Sequence, residues 1–308
     1  MYYDNNCIQY PKPKKPTKKV IFMYRSWLFV PGSQDKHLKK VKELKADVII
    51  FDLEDSVIKS KKDEARVKVS DAIKKMRTNV KFVRVNGVHT EFFINDLEEL
   101  VRPGLTGIVL PKVNKRDDMI IADYMLDQIE MKYLLEPKSL TIVPIIESAQ
   151  ALHNAYDIAT SCSRVKCLAF GAEDLMFDMN IKSSNGIETL YARSKMIEVS
   201  KASSIDPPID QIYPNFSDME GLKVEAEKGR NLGFQGKLLI HPNQVATINK
   251  VFTPTNEEIK EAKEVIEKYY QAIDEGFGVS KVNGKMIDAP IVEKAKRILE
   301  YDERNNTM

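Results

Sequence analysis

Cysteine, histidine and tryptophan are scarce in this 308-residue chain, with 3, 4 and 1 copies. Cys7, Cys162 and Cys167 lack the paired spacing of a zinc site, and three cysteines cannot close into a disulfide framework, so a reducing cytoplasm is the simplest compartment. No stretch approaches the roughly 18 apolar residues of a membrane span. Net charge is nearly missing as well. Lys+Arg number 47 against 45 Asp+Glu, a formal +2, so no global field recruits nucleic acid or a membrane, and an anionic ligand must be held by local charges. Neither Gly-x-Gly-x-x-Gly nor a P-loop follows the first apolar run, and Gly-x-Ser-x-Gly is absent. His37, His89 and His153 show no metal or triad spacing and read as surface or packing residues.

What is present is an ordinary globular composition, 43% hydrophobic and 30% charged, enough to bury a large core. Short apolar runs recur between longer amphipathic segments, the pattern of parallel strands joined by crossover helices. Strands are expected over residues 26–30, 48–53, 81–85, 107–111, 141–146, 167–170, 211–213 and 237–240. Helices are expected over 35–44, 61–76, 94–100, 116–130, 149–160, 187–203, 218–232 and 242–250. Eight of each is the count of a TIM (β/α)8 barrel. A doubly wound sheet would alternate too, but the nucleotide signatures it usually carries are missing.

Beyond the barrel a helix over 255–274 opens on Thr-Asn-Glu-Glu, a capping sequence. An Asn-Gly dipeptide at Asn283 then marks a hairpin, and a helix over 290–301 closes the chain. The expected organisation is a basic, Pro-rich flexible tail (1–20), a catalytic barrel (21–252) and a C-terminal helix–hairpin–helix lid (253–308). The tail is read as a solvated arm rather than an address or an RNA tether.

Barrel chemistry gathers at the C-terminal ends of the strands. The polar residues there are Asp52, Glu54 and Asp55 after the second strand, Arg84 and Asn86 at the third and Lys112 at the fourth. Glu147 follows the fifth, Glu173 and Asp174 the sixth, and His241 the eighth. Glu147 and Asp174 leave neighbouring strands, and two hard oxygens completed by water and substrate suit Mg2+. The bland alternative is that each carboxylate caps the helix after it. Arg84, alternating with apolar neighbours, needs either an acidic partner such as Asp52 or Glu54 or an anionic substrate. Lys36, Lys39 and Lys40 around the start of the first helix form a generic phosphate site or a solvated face.

Taken in order, these segments resemble the citrate lyase β-subunit-like family of the HpcH/HpaI aldolase superfamily. The resemblance rests on Arg-Ser-Trp-Leu-Phe-Val-Pro-Gly-Ser from Arg25, Phe-Asp-Leu-Glu-Asp-Ser from Phe51, Val-Arg-Val-Asn from Val83 and Leu-Pro-Lys-Val from Leu110. It continues through Ile-Ile-Glu-Ser from Ile145, Phe-Gly-Ala-Glu-Asp-Leu from Phe170, Leu-Tyr-Ala-Arg from Leu190, Ile-His-Pro-Asn-Gln from Ile240 and Met-Ile-Asp-Ala-Pro from Met286. It implies Mg2+ on Glu147 and Asp174, a substrate-binding arginine at Arg84, and CoA-holding lysines at Lys36 and Lys40. Arg25, Phe29 and Glu147 join the substrate and CoA set, with Phe29 standing where some relatives carry a tyrosine. Asp288 falls on the catalytic aspartate of the lid, which in such relatives caps a neighbouring subunit of a homotrimer.

The activity so implied is cleavage of a 3-hydroxyacyl-CoA thioester of the citramalyl- or malyl-CoA type to acetyl-CoA and a 2-oxo acid by retro-Claisen chemistry. Three rivals stand beside it. They are a citrate lyase β-subunit acting on a citryl thioester of an acyl-carrier partner, a malyl-CoA thioesterase or malate-synthase-like enzyme, and an inactive assembly or binding subunit.

Overall fold

Eight short segments, most of them rich in aliphatic and aromatic residues, form the strands β1 (Ser26–Pro31), β2 (Val48–Asp52), β3 (Val80–Arg84), β4 (Gly107–Leu110), β5 (Thr141–Ile146), β6 (Ala169–Phe170), β7 (Ile209–Asp210) and β8 (Gly236–Leu239). The computed structural model describes residues 24–76, 80–182 and 186–305; the tail expected over 1–20 lies outside them. Every neighbouring pair of strands is parallel, and β1 pairs with β8 through Trp27 opposite Leu238, closing the barrel. The TIM barrel read from the sequence is therefore the fold.

Alternation along the strands separates two cores. One set of side chains fills the barrel interior: Trp27, Val48, Ile50, Phe82, Val109, Val143, Ile145 and Leu238 among them, with Phe29 and Ile212 packed on that cluster. The intervening residues, such as Leu28, Ile49, Phe51, Val83, Ile108 and Ile146, face the helices in a larger outer core. Side chains two residues apart share a face, so the interior parity 48–50–52, 82–84 and 143–145–147 carries Asp52, Arg84 and Glu147 into the barrel mouth.

The surrounding helices are α1 (Asp35–Lys40), α2 (Lys62–Lys75), α3 (Phe93–Leu100), α4 (Arg116–Lys132), α5 (Ala149–His153), α6 (Ala155–Ala159), α7 (Ala172–Asp178), α8 (Leu190–Ala202), α9 (Met219–Leu232) and α10 (Gln244–Phe252). Four features depart from the expected layout. The first helix stops at Lys40 and tightens into a 3-10 turn over Val41–Glu43. The helix expected over 149–160 breaks at Asn154, whose amide side chain donates to the Asn114 carbonyl at 2.8 Å. A seven-residue helix, α7, follows β6 where none was expected. The seventh strand lies two residues earlier than expected because Asp210, not Gln211, pairs with Lys237 of β8.

The C-terminal extension begins with α11 (Asn256–Asp274). Its capping box is reciprocal: the Glu258 N–H donates to Thr255 Oγ1 at 3.2 Å and the Thr255 N–H donates to Glu258 Oε2 at 2.7 Å. The antiparallel strands β9 (Ser280–Val282) and β10 (Lys285–Ile287) flank Asn283 and Gly284, both at positive φ (49° and 79°) as a type I′ turn requires. Helix α12 (Ala289–Asn305) packs back on α11 around Ala262, Val265, Val282, Ile287, Val292 and Ala295. Arg230 on α9 bonds Glu258 on α11 at 2.8 Å and ties the extension to the barrel. Among the described residues no helix is long and apolar enough to cross a membrane.

Candidate active site

The C-terminal mouth of the barrel holds a cavity of about 460 Å3 lined by Phe29, Asp52, Arg84, Glu147, Gly171 and Asp174, among others. Arg84 spans it. Its Nε and Nη2 donate to the two oxygens of Asp52 at 2.7 and 2.8 Å, and Nη1 lies 3.3 Å from Glu54 and 3.5 Å from Asp55. The guanidinium lies over the Phe29 ring, 4.8 Å from its centroid. Arg84 thus has the acidic partner that one of its two sequence readings expects, and it also lines the cavity. Burial alone would lower its pKa, but the hydrogen bonds and charges of Asp52, Glu54 and Asp55 outweigh that, so the net shift is upward. Burial likewise opposes ionisation of Asp52, yet Arg84 holds its carboxyl below the usual range. The Arg84–Asp52 pair is therefore ionised, a two-point ion pair lining the mouth.

Glu147 is only 6% exposed. The capping alternative does not apply to it, because Ser148 caps α5 by accepting from the Ala151 N–H at 3.0 Å. Glu147 Oε1 instead accepts from the Lys112 N–H. Burial pushes its carboxyl up to about 8, and the charges of Asp174 and Glu54 push the same way against that hydrogen bond. A buried carboxylate among other acids is costly unless a cation shares the site. Asp174 is not a cap either. The N-cap of α7 is Gly171, and Asp174 is exposed in the first helical turn facing the same cavity.

These donors fit Mg2+. Among the described residues no group of three or more His, Cys, Asp or Glu is placed to hold a metal by itself. Two carboxylates that leave the remaining positions to water and substrate are the usual magnesium pattern. The space is also prepared: a Cβ on Gly171 would lie 2.6 Å from Glu147 Cβ and 2.9 Å from its Oε2. Only glycine lets α7 approach Glu147 this closely.

The pattern described as HpcH/HpaI aldolase/citrate lyase matches residues 25–242. The chain belongs to that family. It is 38% identical over 282 residues to the citrate lyase subunit beta of Haemophilus influenzae, covering 90% of this chain and 96% of that one. The mitochondrial citramalyl-CoA lyase of Homo sapiens is 32% identical over 286 residues, with 88% and 83% covered. A solved structure of the citrate lyase beta subunit from M. tuberculosis, complexed with oxaloacetate and magnesium, superposes with a TM-score of 0.63 at 26% identity, covering 75% of this chain and 97% of that one. The relatives of this family member are named as lyases.

Within the family frame the remaining candidates divide. Phe29 joins Arg84, Asp174 and Glu147 at the mouth. Lys36 and Lys40 are exposed one turn apart on α1, which leaves the C-terminal end of β1, and among the described residues neither forms an ion pair. Arg25 is not brought to the site. It precedes β1 at the opposite end of the barrel, where Nε and Nη2 donate to Asp47 at 2.8 and 2.7 Å and Nη1 to Thr253 at 2.9 Å. Asp288 does not line the cavity of its own chain; its Oδ1 accepts from the Ile291 N–H at 3.3 Å in the first turn of α12. His241 stacks on Phe216 beside the mouth, ring centroids 5.0 Å apart. Asn86 is taken up by Asp96, which accepts its side-chain amide at 2.6 Å. Sequence reasoning missed Gly171 and the Lys112 amide; the run Phe-Gly-Ala-Glu-Asp after a strand was the one available signal for the first.

Proposed function

We propose that the chain is a magnesium-dependent carbon–carbon lyase that cleaves a 3-hydroxyacyl-CoA thioester of the citramalyl- or malyl-CoA type to acetyl-CoA and a 2-oxo acid. The observation that carries this reading is the convergence of Glu147, Asp174 and Arg84 on one cavity, in a family whose members named above include a citramalyl-CoA lyase and a magnesium- and oxaloacetate-bound citrate lyase subunit.

Glu147 and Asp174 would hold the Mg2+, which when bound supplies Lewis acidity to the substrate hydroxyl and to the oxygens of the 2-oxo acid product. The hydroxyl gives up its proton to a base, the carbon–carbon bond breaks, and its electron pair passes into the thioester as an acetyl enolate. Arg84, held by Asp52 and stacked over Phe29, is preorganised to offset that negative charge. Protonation at the enolate carbon completes acetyl-CoA, and Asp288 on the C-terminal extension takes that role. Lys36 and Lys40 on α1 hold the phosphates of CoA at the rim.

Asp288 does not line the cavity of its own chain, so the reading places it over the mouth of a neighbouring subunit, in a homotrimer with exchanged lids. Exposed apolar side chains support it on both sides. Phe177, Ile187, Tyr191 and Phe216 stand exposed on the segments following β6 and β7, and Phe277, Val279 and Met286 stand exposed on the extension.

A second reading has its own support, because citrate lyase subunit beta of Haemophilus influenzae is 38% identical. In it the thioester sits on an acyl-carrier partner. Incubating the purified chain alone with Mg2+ and citramalyl-, malyl- or citryl-CoA, with and without EDTA, separates the two. Metal-dependent release of a 2-oxo acid is the expected result. A folded, Mg2+-binding chain that is silent on every CoA thioester would overturn the free-CoA reading in favour of the carrier.

A further inference from the structure

We propose that Lys112 is a positioning residue for Glu147: its left-handed backbone aims one amide at Oε1 and leaves Oε2 as the oxygen offered to the cation. This rests on the magnesium reading above. The chain leaves β4 at Leu110, passes Pro111, and adopts φ 56° at Lys112. That region is sterically disfavoured for a residue with a side chain. Among the described residues, five other non-glycine positions have positive φ: Leu134, Lys138, Asn180, Ser204 and Asn283. None of those lies at the C-terminal end of a barrel strand. Disfavoured backbone persists where the surroundings hold it, and it clusters at functional sites.

What holds it is on both ends of the residue. The Lys112 N–H donates to Glu147 Oε1 at 2.5 Å, the one hydrogen bond to that carboxylate among the described residues. Its Nζ donates to Glu54 Oε1, and Glu54 Oε2 in turn lies 3.3 Å from Arg84 Nη1. One residue therefore couples Glu147 after β5, Glu54 after β2 and Arg84 on β3. The other carboxylate oxygen, Oε2, lies against the room left by Gly171. With Oε1 committed, the carboxylate has one orientation, and the partner of a metal-ligating group typically changes metal affinity about 10- to 100-fold when it is removed.

Two substitutions separate the amide from the ammonium. Lys112→Gly removes the ammonium but adopts positive φ freely, so it keeps the amide in place. Lys112→Val removes the ammonium and resists positive φ through its branched side chain. Mg2+ alone is titrated into the full-length chain by calorimetry, with melting temperatures measured alongside. The glycine variant is expected to bind Mg2+ within about threefold of the parent, and the valine variant at least about tenfold more weakly while still melting cooperatively. Equal Mg2+ affinity in the two variants, high or low, would overturn the proposal, because the backbone conformation would then make no difference. If the valine chain does not fold, Lys112→Ala replaces it and must bind more weakly than Lys112→Gly for the inference to stand. A parent chain that binds no Mg2+ would sink the magnesium reading itself, and this inference with it.

Discussion

Glu147 serves two opposed conditions: without a cation its burial favours the protonated acid, and with one it must be an anion. Its carboxyl is pushed up to about 8 from an ordinary 4.5. Between those values the folded state holds a proton that the unfolded state has released, so stability of the metal-free protein falls as pH rises through that window, by up to about 1.4 kcal/mol per pH unit. Asp52 has the opposite sign. Its folded pKa is depressed, so the stability it adds is lost only as pH falls below its ordinary value of 3.8. Glu54 is raised by burial and shares the slope, which makes the comparison with Glu147→Gln the informative one. Denaturant titrations without Mg2+ at pH 5 and pH 8 should show the parent losing stability over that interval and Glu147→Gln losing less. Parallel profiles would refute the burial argument. At the same scale, Gly171→Ala places a methyl 2.6 Å from Glu147 Cβ and should cost about 1–3 kcal/mol by overpacking. An unchanged denaturation midpoint would mean that α7 moves away without penalty.

Among the elements, β7 shows how far local sequence reaches. Its register sets Asp210 opposite Lys237 of β8, and both side chains are fully buried. Lys237 Nζ lies 3.2 Å from Asp210, which also accepts from Arg193 at 2.6 Å, and Glu225 closes the cluster from α9. Asp210 and Lys237 alternate with the interior residues Ile209 and Leu238, so the cluster lies on the helix-facing side of the barrel wall, and none of its four groups lines the mouth. Lys237→Met should therefore destabilise the fold by about 3–5 kcal/mol, as expected when one partner is removed from a buried ionic group, and leave kcat/KM of the surviving folded enzyme nearly unchanged. A large loss of kcat/KM at full stability would show that the cluster communicates with the site. The strand expected over 211–213 leaves Asp210 out, and the partner Lys237, 27 positions away, leaves no local mark that would include it. The seven residues of α7 are too few to display a helical period. Asp52, Arg84 and Glu147 were legible for the opposite reason, since each ends or directly follows a short apolar-rich strand, and a barrel gathers its chemistry at the C-terminal ends of its strands. The Lys112 amide leaves no trace in side-chain patterns at all.

For the whole molecule, the role proposed for Asp288 makes a demand that one chain does not meet. The mouth holds Glu147, Asp174 and Arg84, whereas Asp288 starts α12 on an extension whose own small core involves α11, the hairpin and α12. If lids are exchanged around a closed ring, a chain lacking Glu147 can still lend its Asp288, and a chain lacking Asp288 can still offer its mouth. Glu147→Ala and Asp288→Ala chains should each be inactive when purified separately. Co-expressed in equal amounts, they should recover activity. Random assortment in a cyclic oligomer gives each mouth an intact Glu147 in half of cases and an intact neighbouring Asp288 in half of those, so roughly a quarter of the parental rate is expected. Mixed oligomers isolated with two different affinity tags and found inactive would mean that Asp288 serves its own barrel, and the extension would then have to swing across its own mouth during turnover.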